Sequence, residues 1–277
     1  MGLKKARRRT VAIQTVCLTL FAIVVGLPIY IALVNGFKPS AEILGSPMSV
    51  PIPPVLENLG KVINNKSYSL MEMYGNSVAL LFGAMVICMF VSALASYYMA
   101  RANNKTANFL SSYFMLGLMV PYVIVYIPLS IMLRKLGIGY NLPVLILVFV
   151  SGNISFATFM YTSFIKSLPL ELEESASLDG ASRWRTFWSI LFPLLKPCTA
   201  TVCIFVGLGV WNDFQTPLLL GQIRTITVGI YTAIGPHSAD WGLIFAYVLF
   251  ASVPVIIAYL CAQNQFIDGL TAGATKG

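Results

Sequence analysis

Residues 169–197 read PLELEESASLDGASRWRTFWSILFPLLKP, and their composition differs from that of the sequence on either side. The whole chain of 277 residues holds only 10 acidic residues, yet Glu171, Glu173, Glu174 and Asp179 all fall here. Long uncharged runs flank the segment. Charge gathered in one place, and then followed by aromatic residues, indicates that this segment contacts something different from what surrounds the rest of the chain.

The overall composition predicts that lipid surrounds the rest of the chain. It is 57% hydrophobic and 10% charged, with a mean hydropathy of +0.80, whereas soluble domains carry about 25% charged residues. The net charge of +8 does not indicate nucleic acid, because Lys4, Lys5 and Arg7 to Arg9 crowd the N-terminus ahead of an apolar run. That arrangement marks a cytoplasmic side. The uncharged run, 10–37, exceeds the core of a signal peptide and is expected to be a retained first span.

Uncharged apolar intervals of about 20 residues or more can cross a bilayer as helices. They predict an all-α polytopic membrane protein with six transmembrane helices in a single domain, 1–277. The predicted spans are 11–35, 74–100, 108–133, 140–165, 198–220 and 242–266. These spans leave a cytoplasmic connection at 166–197, outer loops at 36–73 and 221–241, and a cytoplasmic tail at 267–277. Of the 18 Lys and Arg residues, 12 then lie on the cytoplasmic side, as the positive-inside rule requires.

The acidic part of the opening segment is predicted to form a short helix. Pro169 suits a first helical turn, and the glutamates follow where the positive end of the helix dipole favours acids. Gly180 has the position of a residue that closes the helix with φ > 0, and Ser182 suits the N-cap of a second helix. The first helix is too acidic for lipid and too short to be stable alone. It therefore predicts a docking surface for a partner protein, with a solvated acidic loop as the alternative.

The aromatic part of the segment is predicted to form the second helix. Trp184, Phe187, Trp188 and Leu191 recur at i, i+3, i+4 and i+7, which gives one continuous apolar face. This helix is expected to lie along the inner membrane surface, with the aromatic face either in lipid or against the transmembrane bundle.

The motif Glu174-Ser175-Ala176-x-x-Asp179-Gly180-Ala181, followed by Ile190-x-x-Pro193, resembles the "EAA" loop of permease subunits in binding-protein-dependent ABC importers. Ser175 stands where that motif has its first alanine, and Phe192 where it has leucine. Other matching stretches are LPIYIALVNGFKPSAEI at 27–43, GVWNDFQTPLLL at 209–220, TITVGIYT at 225–232, DWG at 240–242 and FIDGLTAGATKG at 266–277. Together they resemble the smaller, six-helix permease of the maltose-type carbohydrate importers.

This resemblance implies the type I ABC importer permease fold in the bacterial cytoplasmic membrane, with both termini in the cytoplasm. It also implies partners: a second, paralogous permease, two ATPase subunits that carry ATP and Mg, and an extracytoplasmic sugar-binding protein. The contacts with an ATPase would be Glu174, Ser175, Ala176, Asp179, Gly180 and Ala181. The tail would reach the ATPases through Gly269, Thr271 and Gly273, and the outer loop between the last two helices would enter the binding protein.

Enzymatic and metal sites are not indicated by the sequence. It contains no G-x-x-x-x-G-K-[ST] phosphate loop, so ATP hydrolysis is expected on separate subunits and no cofactor is expected in this chain. The five cysteines and His237 lack metal-ligand spacing, and the nearest match to G-x-S-x-G, at 75–79, lacks the second glycine. These observations favour a transport subunit over a membrane-embedded hydrolase. The remaining alternative is an ion-coupled secondary transporter of a small polar solute, which usually places an ionisable group near mid-membrane.

Three polar residues in the predicted spans, Asn153, Asn212 and Asp213, are candidates for a substrate path, because a sugar needs hydrogen-bond donors and acceptors. Hydrogen bonding between helices is the alternative role for the same residues. Family analogy favours an oligosaccharide as the cargo, and in the maltose case it assigns the sugar contacts to the partner permease. Prolines within the spans, Pro121 among them, favour kinks that serve either ordinary packing or a helix lining a path.

The predicted topology can be tested by cysteine labelling in a chain whose own cysteines have been replaced. A cysteine at Asp179 should react with a membrane-impermeant reagent only after the cells are permeabilised, because the acidic segment is expected in the cytoplasm. A cysteine at Lys61, in the predicted outer loop, should react in intact cells. Labelling of the Asp179 position from outside intact cells would contradict the six-span topology.

Overall fold

The computed structural model describes residues 2–67, 69–139, 141–234 and 239–274, and helices dominate them. The first half of the chain forms α1 (Gly2–Gly36), α2 (Ser40–Ile43), α3 (Glu57–Ile63), α4 (Leu70–Arg101), α5 (Lys105–Gly117) and α6 (Tyr122–Lys135). The second half forms α7 (Leu142–Lys166), α8 (Glu171–Leu178), α9 (Arg183–Thr186), α10 (Phe192–Leu194), α11 (Lys196–Asn212), α12 (Ile226–Thr232) and α13 (Trp241–Ala274). Two π-helices, Phe187–Leu191 and Pro217–Gly221, lie between α9 and α10 and after α11.

Four of these helices are, within the described residues, long and apolar enough to cross a membrane alone: Thr10–Gly36, Leu70–Arg101, Leu142–Lys166 and Trp241–Cys261. Two bent pairs meet the same criterion when each pair is taken as one span: Lys105–Gly117 with Tyr122–Lys135, and Arg183–Leu194 with Lys196–Asn212. Counted in this way, the structure accommodates the six predicted spans in an all-α membrane fold.

The third span differs from the predicted continuous helix at 108–133. Helices α5 and α6 meet at 97° across the break between Gly117 and Tyr122. Pro121 explains the break, because it has no N–H to donate to the preceding turn and it disfavours the helical conformation at Val120. The backbone of Pro121 is extended, with φ −64° and ψ 117°. The kink that the sequence predicted at this proline is therefore confirmed, and it breaks the helix completely.

Several other helix ends differ from the ends of the predicted spans. Helix α1 begins at Gly2, ahead of the predicted start at residue 11, so the basic N-terminal residues continue the first helix. The predicted tail at 267–277 is helical as far as Ala274, as a continuation of α13, and residues 275–277 lie outside the described residues. The fifth span stops at Asn212 rather than at 220, because Asp213 adopts an extended backbone (ψ 121°).

The contacts divide the chain into two units, one formed by 71–228 with 255–277 and the other by 1–70 with 229–254. In the first unit, α4, α6, α7, α11 and the π-helix before α10 supply one apolar core. Its internal polar groups are hydrogen-bonded, as buried polar groups must be. The Ser96 hydroxyl donates to the Thr158 carbonyl at 3.0 Å, and the Tyr161 hydroxyl donates to Thr199 Oγ1 at 3.0 Å.

The second unit joins the segment after α1 to the start of α13. The Ser40 hydroxyl donates to Asp240 Oδ1 at 2.8 Å, and Asp240 accepts the Leu243 N–H at 3.1 Å, so it caps the first turn of α13. Burial alone would raise the pKa of the Asp240 carboxyl, but the hydrogen bonds from Leu243 and Ser40, together with the nearby Lys61 ammonium, lower that pKa below its usual value.

Candidate functional site

The acidic segment forms a helix of 8 residues, α8, which starts at Glu171 rather than at Pro169. Its N-cap residue, Leu170, supplies no side-chain hydrogen bond. Glu171, Glu173 and Glu174 occupy the first turn, where their charge is stabilised by the free N–H groups and the positive end of the helix dipole.

A Schellman motif ends α8. Gly180 has φ +80°, as the sequence predicted. The Ala181 N–H donates to the Ala176 carbonyl at 2.9 Å, and the Gly180 N–H donates to the Ser177 carbonyl at 3.1 Å. These two bonds satisfy carbonyls that the last helical turn leaves free. A Cβ atom built on Gly180 would have nothing within 4 Å, so a side chain there meets backbone strain but no steric clash within the chain.

Glu173 fastens α8 to the end of α4. Arg101 Nε lies 2.6 Å from Glu173 Oε1, and the Tyr97 hydroxyl donates to Glu173 Oε2 at 3.0 Å. Arg101 also donates through Nη2 to the Leu168 carbonyl at 3.2 Å. The two charged side chains keep only 18% and 11% of their surface exposed, so water screens this pair weakly. This pair was not predicted from the sequence. There, Arg101 is one basic residue at the end of a span, and Glu173 is one of three neighbouring glutamates.

The aromatic segment packs on α4. Ser182 caps α9 by accepting the Arg185 N–H at 3.3 Å, as predicted. After this cap, aromatic rings of the segment pack against rings of α4. The ring centroids of Phe187 and Tyr97 are 5.4 Å apart. Phe90 lies 5.7 Å from Trp188 and 5.8 Å from Phe192 between ring centroids. Of the two predicted environments for this face, the transmembrane bundle is therefore the main one.

The apolar face predicted for the aromatic segment is not buried along its whole length. Phe187 and Leu191 are 1% and 0% exposed, but Trp184 is 64% exposed. The π-helix at Phe187–Leu191 widens the turn, so the regular 3.6-residue spacing ends after α9. Pro193 lies just beyond and has no N–H with which to continue the regular ladder. The segment then joins α11 at an angle of 73°.

The residues predicted to contact an ATPase fall into two groups. Glu174, Ser175, Asp179 and Gly180 are exposed, and Ala181 is partly exposed. Ala176 is only 5% exposed, so its methyl group packs inside the chain and does not offer a surface to a partner. Sequence reasoning missed Leu178, whose side chain is 89% exposed beside the Gly180 turn.

Asp213 takes part in a local hydrogen-bond network at the end of α11. Its Oδ1 accepts the Thr216 N–H at 3.1 Å, and its Oδ2 accepts the Thr216 hydroxyl at 2.5 Å and the Tyr126 hydroxyl at 3.3 Å. The carboxylate thus caps the turn that follows α11 and ties it to α6. This is the helix-to-helix role that the sequence offered as the alternative.

The other two path candidates differ in exposure, since Asn153 is half-buried and Asn212 is exposed. Asn153 Nδ2 donates to the Phe149 carbonyl of its own helix at 2.8 Å, and Asn153 Oδ1 points toward Gly209 of α11. Asn212 is exposed at the end of α11. The rings of Phe156 and Phe205 lie 5.5 Å apart in the same pair of helices. The tail candidates Gly269, Thr271 and Gly273 lie in the last turns of α13, and His237 lies outside the described residues.

Comparisons with known proteins show which family the chain resembles. Residues 92–266 match the family model of the inner membrane component of binding-protein-dependent transport systems. A diacetylchitobiose uptake system permease protein of Streptomyces coelicolor is 30% identical over 274 residues, which are 97% of this chain and 90% of that protein. A multiple sugar-binding transport system permease protein of Streptococcus mutans is 30% identical over 281 residues, 99% of this chain and 100% of that protein.

Among solved structures, a bacterial ABC transporter involved in the import of the acidic polysaccharide alginate has a chain with a similar fold. The TM-score is 0.78, and the match covers 94% of this chain and 97% of that chain. The sequences are 18% identical, so the likeness concerns the fold alone.

The ion pair predicts unequal effects for two neighbouring glutamates. Glu173→Gln should lower the thermal stability of the purified protein in detergent, because it leaves the partly buried Arg101 guanidinium without a counter-charge. A hydrogen bond to a charged group contributes about 1.5–3 kcal/mol to the free energy of unfolding. Glu174→Gln, at an exposed position of the same helix, is the matched control and should leave the melting temperature unchanged. Equal melting temperatures for both variants would show that the pair does not hold α8.

Proposed function

The chain belongs to the family of inner membrane components of binding-protein-dependent transport systems, and we propose that it is a path-forming subunit of an ATP-driven carbohydrate importer. The observation that carries the proposal is that an exposed acidic helix, closed by the Gly180 turn, is held to α4 by the partly buried ion pair between Glu173 and Arg101. An exposed helix that is attached to the transmembrane bundle is a suitable contact through which an ATPase subunit could displace that bundle.

The relatives support carbohydrate as the cargo. One relative is named for diacetylchitobiose uptake and the other for a multiple sugar-binding transport system, and both align with this chain over nearly its whole length. We infer an oligosaccharide rather than a monosaccharide. Within this chain, the amide groups of Asn153 and Asn212 and the rings of Phe156 and Phe205 are the candidates for sugar contact, because sugars pair hydroxyls with amides and stack on aromatic faces.

The partners follow from what this chain lacks. Its sequence has no phosphate loop, so we propose that two separate ATPase subunits bind ATP and Mg and that this chain is not itself an enzyme. A second permease would complete the path, and an extracytoplasmic binding protein would deliver the sugar. In this arrangement both termini and α8 lie on the cytoplasmic side of a bacterial cytoplasmic membrane, and the end of α13, with Gly269, Thr271 and Gly273, extends toward the ATPases.

Coupling is proposed to pass through two contacts. The exposed Leu178, together with Asp179 and the Gly180 turn, would seat in the ATPase, since an apolar side chain that is 89% exposed gains most from burial there. Displacement of α8 would then pull on α4 through the Glu173–Arg101 pair. The aromatic contacts with Phe90 and Tyr97 transmit the same displacement to the segment that continues into α11.

Two glycines with the same backbone strain provide a matched test of the docking turn. Gly180 has φ +80° and Gly137, in the predicted outer loop between α6 and α7, has φ +68°; neither has an atom within 4 Å of a built Cβ. A residue with a Cβ costs about 1–2 kcal/mol in the left-handed region, so Gly180→Val and Gly137→Val carry a similar internal penalty. Only Gly180→Val should abolish co-purification of the ATPase subunits and sugar-stimulated ATP hydrolysis.

The control separates docking from folding. Both variants should insert and purify in equal amounts, and Gly137→Val should keep its ATPase subunits and its transport. Retention of ATPase binding and of stimulated hydrolysis by Gly180→Val would mean that α8 is a solvated acidic loop.

The energy source distinguishes the importer from an ion-coupled secondary transporter. Sugar uptake into cells should persist when the transmembrane ion gradients are collapsed and should stop when ATP is depleted with the gradients maintained. The opposite pattern would favour the ion-coupled transporter.

A further inference from the structure

A cavity lies between α4, α5 and α7, toward the ends of these helices that are proposed to face the cytoplasm. Its volume is about 100 Å³, and the residues that line it include Met99 of α4, Ser111 of α5 and Lys166 of α7. One water molecule needs about 10–15 Å³ of such space, so the cavity has room for a considerably larger group. All of its lining residues belong to one unit of the chain, 71–228 with 255–277.

Four hydrogen-bond donors at this cavity have no partner among the described residues. The hydroxyls of Ser111, Thr162 and Ser163 make no hydrogen bond there, and the Lys166 ammonium has neither a hydrogen bond nor a counter-charge. The remaining polar residue, Thr158, donates its hydroxyl to a carbonyl of its own helix. Within the described part of the chain, no acidic side chain lines the cavity. The free donors and the positive charge therefore select a ligand that accepts hydrogen bonds and carries negative charge.

Along α7, the free polar groups of the cavity lie nearer the end of the helix than its apolar side chain. Lys166 is the last residue of α7, and Thr162 and Ser163 lie one turn inside it. Phe159 lies a further turn toward the middle of the span, and its ring is 44% exposed. A ligand that bound Lys166 would thus find an apolar surface deeper in the membrane.

Helix α5 repeats this order in the opposite chain direction. Ser111 precedes Phe114 and Met115, so its hydroxyl lies nearer the proposed cytoplasmic end than the two apolar side chains. Beyond the cavity the two helices touch, because a Cβ atom added at Gly117 would overlap Ser155 Oγ. The cavity therefore has a charged, hydroxyl-lined outer part and an apolar inner part, in the order of a phospholipid headgroup and its acyl chains.

The cavity faces away from the proposed sugar path. Thr162 follows Asn153, a candidate for sugar contact, by nine residues, which is about two and a half turns, so the two side chains point to opposite sides of α7. A second permease that completes the path would cover the side that carries Asn153. The side with the cavity then faces the bilayer, at the leaflet whose surface is negatively charged. This step rests on the proposed function.

We propose that the cavity binds an anionic phospholipid such as phosphatidylglycerol. The phosphate would accept hydrogen bonds from Lys166 and from the free hydroxyls of α5 and α7, while an acyl chain would pack on Phe159. Basic pockets between membrane helices on the cytoplasmic side are suited to such headgroups. A zwitterionic lipid brings its own ammonium group and would neutralise Lys166 less well, and a free phosphate ion would leave the apolar inner part in contact with water. The bound lipid would fill the gap between α5 and α7 and hold the half-span α5 against the bundle.

Photo-cross-linking in the assembled protein tests this site. The full chain with its co-purifying subunits is reconstituted in phosphatidylcholine vesicles that contain a small fraction of phosphatidylglycerol with a diazirine in its acyl chain. After illumination, mass spectrometry of the digested chain should locate the cross-link in the peptides that carry residues 111–115 and 158–163. Unlabelled phosphatidylglycerol should compete with this cross-link several-fold better than phosphatidylcholine, and better than glycerol phosphate, which has the phosphate but no acyl chains.

Variants separate the site from the general attraction of basic residues to an anionic membrane. Lys166→Gln should lower the cross-link several-fold, because it removes the positive charge that lines the cavity. Thr162→Val, which exchanges one free hydroxyl for a methyl group of similar size, should lower it as well. Lys105→Gln is the matched control, since Lys105 is exposed at the start of α5 and does not line the cavity, and it should leave the cross-link unchanged.

Three outcomes overturn the proposal. Absence of the cross-link would mean that another subunit or water fills the cavity in the assembled transporter. Equal competition by the two phospholipids, or an equal loss in Lys105→Gln and Lys166→Gln, would mean that the site does not select the lipid. Full competition by glycerol phosphate would make it a site for a soluble phosphate ester. Sugar uptake by the same vesicles tests the proposed function separately, so a failure of that function and a failure of the lipid site are distinguishable.

Discussion

The partly buried ion pair between Glu173 and Arg101 is the constraint on which the candidate site depends. A helix of 8 residues is too short to be stable by itself in water, and α8 has few apolar side chains with which to hold on to the bundle. The Glu173 carboxylate lies 2.6 Å from the Arg101 guanidinium and accepts a hydrogen bond from the Tyr97 hydroxyl at 3.0 Å. Arg101 also donates to the Leu168 carbonyl. With its charges satisfied in this way, the pair can lie at the end of a membrane helix without the penalty of an unpaired charge.

Because this pair holds α8 against α4, the rest of α8 is available for the proposed contact with an ATPase. Because Glu173 and Ala176 face the chain, Glu174, Leu178 and Asp179 are left on the outside, next to the turn at Gly180. After α8, the rings of Phe187 and Trp188 pack against the same helix, α4. The chain then bends by 73° into α11. One transmembrane helix therefore contacts both parts of the connecting segment, so a displacement of that segment has a direct mechanical route into the bundle.

Much of this architecture could be predicted from the sequence, since apolar runs, charge asymmetry and capping residues act locally. The six intervals, the positive φ of Gly180 and the Ser182 cap all rest on such signals. The pair between Glu173 and Arg101 could not be predicted, because its partners are 72 residues apart and any of three glutamates could have met any nearby cation. The π-helix at Phe187–Leu191 was not predicted. At Pro121 the sequence predicted a kink, either for packing or for lining a path, but not the 97° angle between α5 and α6, which depends on tertiary packing.

The central claim is that α8 and α4 move as one body when ATP acts on the transporter. Pulsed EPR between spin labels at Ser175, on the exposed side of α8, and Val91, on the exposed side of α4, tests it directly in the reconstituted complex. The account predicts the same distance distribution in the nucleotide-free and ATP-bound states, in vesicles whose sugar uptake shows that the transporter cycles. A distribution that shifts between the two states would show that α8 slides over α4, and it would contradict the account.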